Sequence, residues 1–469
     1  MAKSKLPGVK ADIVDGQLRP RFVPQQPKVT LIGTTNNPNV DPAEPTLIET
    51  DADVALVDNY FADAAATTPN PTGLVRKPSE LSKAIAEARG GGAENVEFVV
   101  LPDPTAMQVK LETSPINQRR FDALTALYTE LKETDVDIVN PVGTVIDATG
   151  IQTTQNFAYQ LADFCHQSTV NERTVIGTIG VSPPIAGDQV PTLAQLETWV
   201  AGLETYDTSS ALGLAFPIGN GTTDTGGDGI PDTYAFWGTK DSKIPTGQPP
   251  RFHGQVEIDV RGNPVDIGKY ISVCADTVRF VNEVAPLVAP ANGYYHGNMA
   301  AAYAGMISSL PSRVGTTNKV LGGVLPVRKL SPSQVERLQT KRYVAMRMRP
   351  KGFVVNKGVT WAYNISTTFK SDFTQLTTMR ITGDAISLVR LRAVEYIGGP
   401  SSAEVVNALD SDIDEALRSM QRSGALNRYD YALQITPAQS VIGAMTIELT
   451  LVPAFELTDI TLVVALAKE

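Results

Sequence analysis

The chain has 469 residues, enough for two to four domains at roughly 100–200 residues each. Apolar residues make up 42% and charged residues 19%, the composition of a folded protein, which excludes a disordered or fibrous chain. A formal charge of −10, from 40 Lys and Arg against 50 Asp and Glu, has the wrong sign for gripping a phosphate backbone over a broad surface, so nucleic-acid binding is disfavoured.

Two cysteines, Cys165 and Cys274, are too few for a disulfide framework and read as buried free thiols of a reducing compartment. No run of roughly 18 apolar residues occurs, and no apolar stretch follows the first lysines. The expectation is a soluble, cytoplasm-made chain without membrane span or signal peptide.

Residues 1–28 hold Pro7, Pro20, Pro24 and Pro27 around one alternating run, Gly8 to Asp15, which predicts a single strand closed by Gly16. A lone strand buries almost nothing, so it must pair with a sheet elsewhere, in this chain or in another. From Lys28 to about Pro141 the pattern is α/β. Runs 29–33 and 96–101 read as buried strands around a helix capped by Ser79 and stopped at Gly90-Gly91-Gly92. Residues 121–131 read as a second helix and 136–139 as a third strand. This rhythm predicts a parallel or mixed sheet covered by helices.

Residues 200–262 are dense in glycine and proline and read as a loop-rich elaboration. Within it Asp224, Asp228 and Asp232 are spaced about a glycine turn much as in calcium loops. However, Gly226 stands where an oxygen ligand is needed, and Ala235 where a bidentate glutamate is, so a solvated Gly/Asp turn is the favoured reading. Further on, Ala300, Ala301, Ala302, Ala304 and Gly305 allow close backbone packing.

Ser331-Pro332-Ser333-Gln334 is a capping box with proline at the first helical position. Two strand runs come next, 343–349 and 353–355, about a Pro350-Lys351-Gly352 turn. Ser401 or Ser402 caps a helix to about residue 423, in which Val406, Leu409, Ile413, Leu417 and Met420 recur at helical spacing before Gly424. Its acids lie in the first half and Arg418 and Arg422 in the last turns, the order the helix dipole favours. Two more strands are predicted, 444–452 and 459–467, the second apolar on both faces.

Catalytic signals are sparse. His166, His253 and His296 have no acidic or histidine partner at metal-ligand spacing and read as structural. There is no Gly-x-Ser-x-Gly elbow, phosphate loop or dinucleotide fingerprint, so neither enzyme activity nor a cofactor is expected. The charge distribution says more. Between Arg313 and Lys357, eleven Lys or Arg stand against one acid, Glu336, which leaves that segment at +10 and the rest at −20. Opposite charge on one chain favours head-to-tail contacts between copies, and such contacts make helical polymers when they do not close a ring.

Residues 327–469 resemble the C-terminal domain of contractile tail sheath proteins, found in contractile-tailed phages, related bacteriocins and injection systems. The shared order begins with the capped helix at Ser331-Pro332, a basic strand, a Lys-Gly turn and Gly358-Val359-Thr360-Trp361. It continues with 381–392 and its paired basic residues, Ile397-Gly398-Gly399-Pro400-Ser401, the amphipathic helix, Gly424-Ala425-Leu426 and Pro453-Ala454-Phe455-Glu456-Leu457. Residues 294–320 are similar to the family's small-residue segment, and Pro7-Gly8-Val9 to its N-terminal arm. Trp361-Ala362-Tyr363 departs from the family's Arg-Thr-like element.

The resemblance implies an α/β fold in several domains with extended arms. These are a linking arm at 1–28, an outer α/β domain at 29–326 bearing the 200–262 elaboration, and an α+β inner domain at 327–469 ending in a linking strand. It implies that Val9, Ala11 and Ile13, with Ile460, Leu462, Val464 and Leu466, pair in trans with sheets of neighbouring copies. It also implies that Glu404, Asp410, Asp414, Arg418 and Arg422 face an inner tail tube; the bland alternative is an ordinary half-buried helix. The implied partners are further copies in stacked hexameric rings, the tube protein, and baseplate and terminator proteins, without nucleic acid, membrane insertion or cofactor. The implied function is a sheath that contracts without nucleotide to drive the tube through a cell envelope. Its place would be a virion tail or injection particle assembled in the bacterial cytoplasm. The rivals are a non-contractile tail or baseplate component and a soluble α/β hydrolase.

Overall fold

The computed structural model of the chain describes residues 26–35, 37, 44–62, 74–77, 79–101, 114–132, 134–146, 157–171, 173–185, 190–205, 233–234, 238–239, 267–281, 294–362, 372–398, 402–434 and 445–456. In chain order the first part carries β1 (Val29–Gly33), β2 (Thr46–Leu47), α1 (Asp51–Leu56), β3 (Asn59–Ala62), β4 (Leu74–Lys77), α2 (Glu80–Gly91) and β5 (Val96–Val100). Next come α3 (Ser114–Leu131), β6 (Ile138–Pro141), β7 (Val145–Ile146), α4 (Phe157–Asn171), β8 (Ile176–Val181) and α5 (Leu193–Thr205). The middle holds β9 (Thr233–Tyr234), β10 (Gly238–Thr239), β11 (Ile271–Cys274), β12 (Thr277–Val281), β13 (Tyr294–Asn298), α6 (Ala300–Ser309) and β14 (Val324–Pro326). The last part is α7 (Pro332–Thr340), β15 (Met346–Arg349), β16 (Gly352–Val355), α8 (Leu376–Val394), α9 (Ala403–Arg422), β17 (Leu426–Gln434) and β18 (Thr446–Pro453).

The large sheet runs β11-β8-β6-β1-β5-β2, with β7 beside β8. Its long pairings are parallel, and only the short edge strand β2 is antiparallel. Strands β1, β5, β6 and β8 are buried at every residue, as strands covered on both faces must be. Side chains alternate between two cores with the period of 2 that a strand imposes. Leu31, Phe98 and Ile138 join one core with α2 and α6, while Ile32, Val99 and Val139 join the other with α3, α4 and α5. This is the helix-covered, largely parallel sheet expected from the α/β rhythm.

Local chemistry sets the helix ends. Ser79 Oγ accepts from Ser82 N at 3.0 Å to open α2, and Gly92, at φ 113, closes it in a conformation that side chains resist. At α7 the Ser331 hydroxyl accepts from Gln334 N at 3.2 Å, and the Gln334 side chain accepts from Ser331 N at 2.9 Å.

The large sheet continues past β11 into the last third of the chain. Val344 N donates to Val273 O at 2.8 Å, Ala275 N to Val344 O at 2.9 Å, and Trp361 N to Ile271 O at 2.8 Å. Tyr343 therefore meets Trp361, the rings tilted by 48° with centroids 5.8 Å apart, and the β15–β16 hairpin begins only at Met346. Val335, Leu338, Tyr343 and Trp361 enter one core and Val344, Met346, Phe353 and Val355 the other, so residues on both sides of 326 share both cores. A third, separate core is made by α8, α9, β17 and β18. Helix α8 belongs to all three: Met379 lies in the first, Leu376 in the second, and Ile381, Ala385 and Val389 in the third.

Candidate inter-subunit surfaces

The C-terminal unit is built from one amphipathic helix laid on a two-stranded ribbon. The Ser402 hydroxyl accepts from Val405 N at 3.4 Å to open α9, and Gly424, at φ 76, comes just after its end. Leu409, Ile413, Ala416, Leu417 and Met420 form its buried stripe. Along β17 and β18, the half-buried Tyr429, Tyr431, Leu433, Ile447, Leu449 and Leu451 pack against the same core, while Arg428, Asp430, Glu448 and Thr450 are exposed. Three tyrosine hydroxyls tie the helix down. Tyr429 donates to Asp414 Oδ1 at 2.8 Å, Tyr396 to Asp412 Oδ2 at 2.6 Å, and Tyr431 to the Asp410 carbonyl at 2.9 Å.

Among the described residues β17 and β18 pair only with each other. A two-stranded sheet is marginal alone, and each of its outer edges presents backbone donors and acceptors that a further strand can satisfy.

On a helix advancing about 100° per residue, Glu404, Asp410, Asp414, Arg418 and Arg422 fall within an arc of about 120°. Glu404, Asp410, Arg418 and Arg422 are exposed. Asp414 is half-buried and also pairs with Arg418 at 2.5 Å, four residues on. The residues predicted for one surface thus share one polar stripe, opposite in chemistry to the buried one.

The basic stretch after Arg313 is divided between tasks. Arg337 is bound by Glu197 and Glu204 of α5, Nε to Glu204 Oε1 at 2.8 Å. Arg342 donates to the Ala362 carbonyl. Lys319, Arg349 and Lys351 are exposed around the β15–β16 hairpin, where Val320 bridges Val354 and Met348 is also exposed.

Val9, Ala11, Ile13, Ile460, Leu462, Val464 and Leu466 lie outside the described residues, as do Asp224, Asp228 and Asp232. Among the described residues no cluster of His, Cys, Asp or Glu could hold a metal, and no helix is long and apolar enough to cross a membrane. His166 is buried with its ring 5.5 Å from that of Tyr270, His296 sits on β13, and His253 is outside the described residues. Cys165 and Cys274 are free and buried.

Sequence reasoning missed α8 as a helix and β17 as a strand. The alternation of Tyr429, Tyr431 and Leu433 carried the signal for β17. It also missed the fastening points next to the two ends of the described chain, Lys28 against Asp137 and Glu456 against Thr377.

No family model matches this sequence, and no curated protein matches it either. Solved structures do. One is a chain of the sheath complex of an extracellular contractile injection system, PVC, in its contracted state, with TM-score 0.54 and 11% identity over 99% of this chain and 98% of that one. A chain of the anti-feeding prophage baseplate in its contracted state gives TM-score 0.56 and 13% identity over 99% of both chains. A chain of the six-fold symmetrised baseplate gives 0.54 and 13% over 99% of this chain and 100% of that one. The chain therefore shares its fold with a chain of a contractile sheath complex and with chains of the anti-feeding prophage baseplate.

Proposed function

We propose that this chain is a structural, non-catalytic subunit of a contractile sheath, polymerising helically around an inner tube and shortening to drive that tube through a cell envelope. The observation that carries this reading is the α9–β17–β18 unit, a ribbon with two outer edges that pair with no described strand, in a chain whose sequence offers an orphan strand at 8–15 and a two-faced apolar strand at 459–467. Strands lent by neighbouring copies would complete the ribbon into a sheet, with main-chain hydrogen bonds giving affinity and alternate side chains giving register. The fold shared with a sheath-complex chain over nearly all of both lengths supports the same reading.

In this reading residues 1–28 are a linking arm, 29–326 the outer part and 327–469 the inner part, which grows out of the β11 edge of the large sheet. The polar stripe of α9 faces the tube, and the particle is a tail or injection device put together in the bacterial cytoplasm from many copies, with baseplate and terminator proteins at its ends. A second reading, a baseplate component, is favoured by the two baseplate chains that share the fold.

Electron microscopy of the purified chain, alone, with tube protein, and with residues 1–16 deleted, tests both. Long regular tubes from the full chain and none from the truncation are expected. A single closed ring would favour the baseplate reading, and monomers even with tube protein present would overturn the sheath.

A further inference from the structure

Residues 26–28 and 454–456 are the described residues nearest the two ends of the chain, and polar groups fasten both. At the first, Lys28 N donates to Asp137 Oδ2 at 2.9 Å, Lys28 Nζ lies 2.8 Å from Glu97 Oε2, and Asn95 Nδ2 donates to Gln26 O at 3.3 Å. At the second, Ala454 N donates to Ala425 O at 2.9 Å and Glu456 Oε2 accepts from Thr377 Oγ1 at 3.1 Å. The Glu456 carboxyl occupies the space over Gly315, where a Cβ would stand 2.1 Å from its Cδ. Thr377 lies in the first turn of α8, where the helix dipole favours a carboxylate.

One helix joins the two points. Gly383, six residues after Thr377 and so about 9 Å along the helix, packs directly on Thr174. A Cβ at 383 would lie 2.4 Å from Thr174 Cγ2, and Thr174 Oγ1 donates to the Gly383 carbonyl at 3.4 Å. The adjacent Arg173 holds Asp137 through Nε to Oδ1 at 2.9 Å, and Asp137 is the acceptor of Lys28 N. Two further residues fix α8 to its surroundings: Arg390 donates to the carbonyls of Thr169 and Val170 at 2.7 and 2.9 Å, and Arg380, only 6% exposed, donates to those of Leu310 and Pro311. Every step from Glu456 to Lys28 is either a direct contact or a stretch of the chain itself, and the path meets the large sheet at the entries of its strands: Thr174 just before β8, Asp137 before β6 and Lys28 before β1.

We propose that α8 is a strut coupling the roots of the N-terminal and C-terminal segments, so that a displacement at Glu456 is carried through Thr377, Gly383, Thr174, Arg173 and Asp137 to Lys28. Resting on the reading of both segments as links between copies, it gives tension in a lattice a short route across each subunit, from one root to the other. Coupling of this kind needs a chain of packed groups, and a demonstration that disturbing one end is felt at the other.

Hydrogen exchange of the full-length, unassembled chain makes that demonstration without requiring any sheath. Thr377→Val removes the hydroxyl that Glu456 accepts. It should speed exchange at the start of α8 and also at the Val29 and Ile138 amides, which bond to Asn95 O and Lys28 O. The rise should be about fivefold, the equivalent of one hydrogen bond lost. Thr174→Ala, at the middle of the path, should give the same rise at Val29 and Ile138. The double variant should add nothing further there, because it breaks one path twice. Thr377→Ser keeps the hydroxyl and should restore wild-type exchange. Changes confined to the neighbourhood of each substitution, or rises that add in the double variant, would overturn the strut. Uncoupled roots in a chain that still forms tubes reject the strut alone, whereas coupled roots in a chain that never forms tubes reject the sheath reading alone.

Discussion

Gly305 and Ala88 bring α6 and α2 together backbone to backbone: a Cβ at 305 would stand 2.0 Å from the Ala88 carbonyl oxygen. The contact is reciprocal, since a Cβ at Gly91 would stand 2.0 Å from the Ala302 carbonyl oxygen. Neither obstacle is a side chain that could swing aside. Gly305→Ala should therefore push the two helices apart over the core shared by Leu31, Phe98 and Ile138, at a cost of about 3 kcal/mol. Urea unfolding checks this, with a lowered midpoint at unchanged slope as the expected result. A midpoint within error of wild type would mean that the helices slide at no cost.

How much of this was legible in the sequence depends on whether the cause was local. The small-residue run at 300–305 announced close packing, Ser79 and Gly92 bracketed α2, and the Ser331 capping box opened α7, each through a chemistry confined to a few residues. Helix α8 stayed hidden because it is buried on several sides. Thr377, Thr378 and Arg380 lie inside along with Ile381, Ala385 and Val389, so no one-sided apolar stripe exists to be seen. The run 343–349 read as one strand, yet Val344 belongs to the large sheet, bonded to Val273 about seventy residues earlier, and the hairpin with β16 takes only Met346 to Arg349. Partners so distant in sequence, like Lys28 with Asp137 or Thr377 with Glu456, leave no local pattern. The polar stripe of α9 was readable because helical periodicity alone places its members together.

Arg337 holds α7 to α5 by bridging Glu197 and Glu204, and its hydrogen bonds keep both carboxyls below the ordinary carboxylate value of 4.5. A carboxyl lowered in the folded state contributes stability that is complete above its unfolded value and is lost as pH falls through the folded one. Arg337→Gln should therefore melt below wild type at neutral pH, with the two curves converging as the pH drops below 4.5. Glu197 is exposed and Arg337 and Glu204 are only half-buried, so the gap is small and thermal melts of the two proteins should be compared side by side across pH. A gap that persists undiminished into strong acid would assign the contact to packing instead of charge.

Burial pushes the thiols of Cys165 and Cys274 well above their ordinary range, and neither has a described cation beside it to favour the thiolate. A thiol reagent at mildly alkaline pH should thus leave both unmodified in the folded protein and modify both once it is unfolded. Rapid native labelling of either would show that the core around it opens on the timescale of the reaction.

The polar stripe of α9 offers the sharpest test of a tube-facing helix, provided the substitutions spare the ribbon beneath it. Asp414 does not qualify, because it accepts from Tyr429 and pairs with Arg418, so reversing it would loosen the helix from β17. Glu404 and Asp410 are exposed, and Tyr431 holds residue 410 by its backbone carbonyl, which any substitution retains. Glu404→Lys with Asp410→Lys should leave the melting of the monomer within about 0.5 kcal/mol of wild type. The same variant should lose assembly around tubes in a sedimentation assay, and high salt should weaken wild-type assembly as it screens the attraction. Asp414→Lys alone should cost about 1 kcal/mol or more in the monomer, from the hydroxyl left without its acceptor. Normal tube assembly by the folded double variant would take this stripe out of the interface and make it a solvent face.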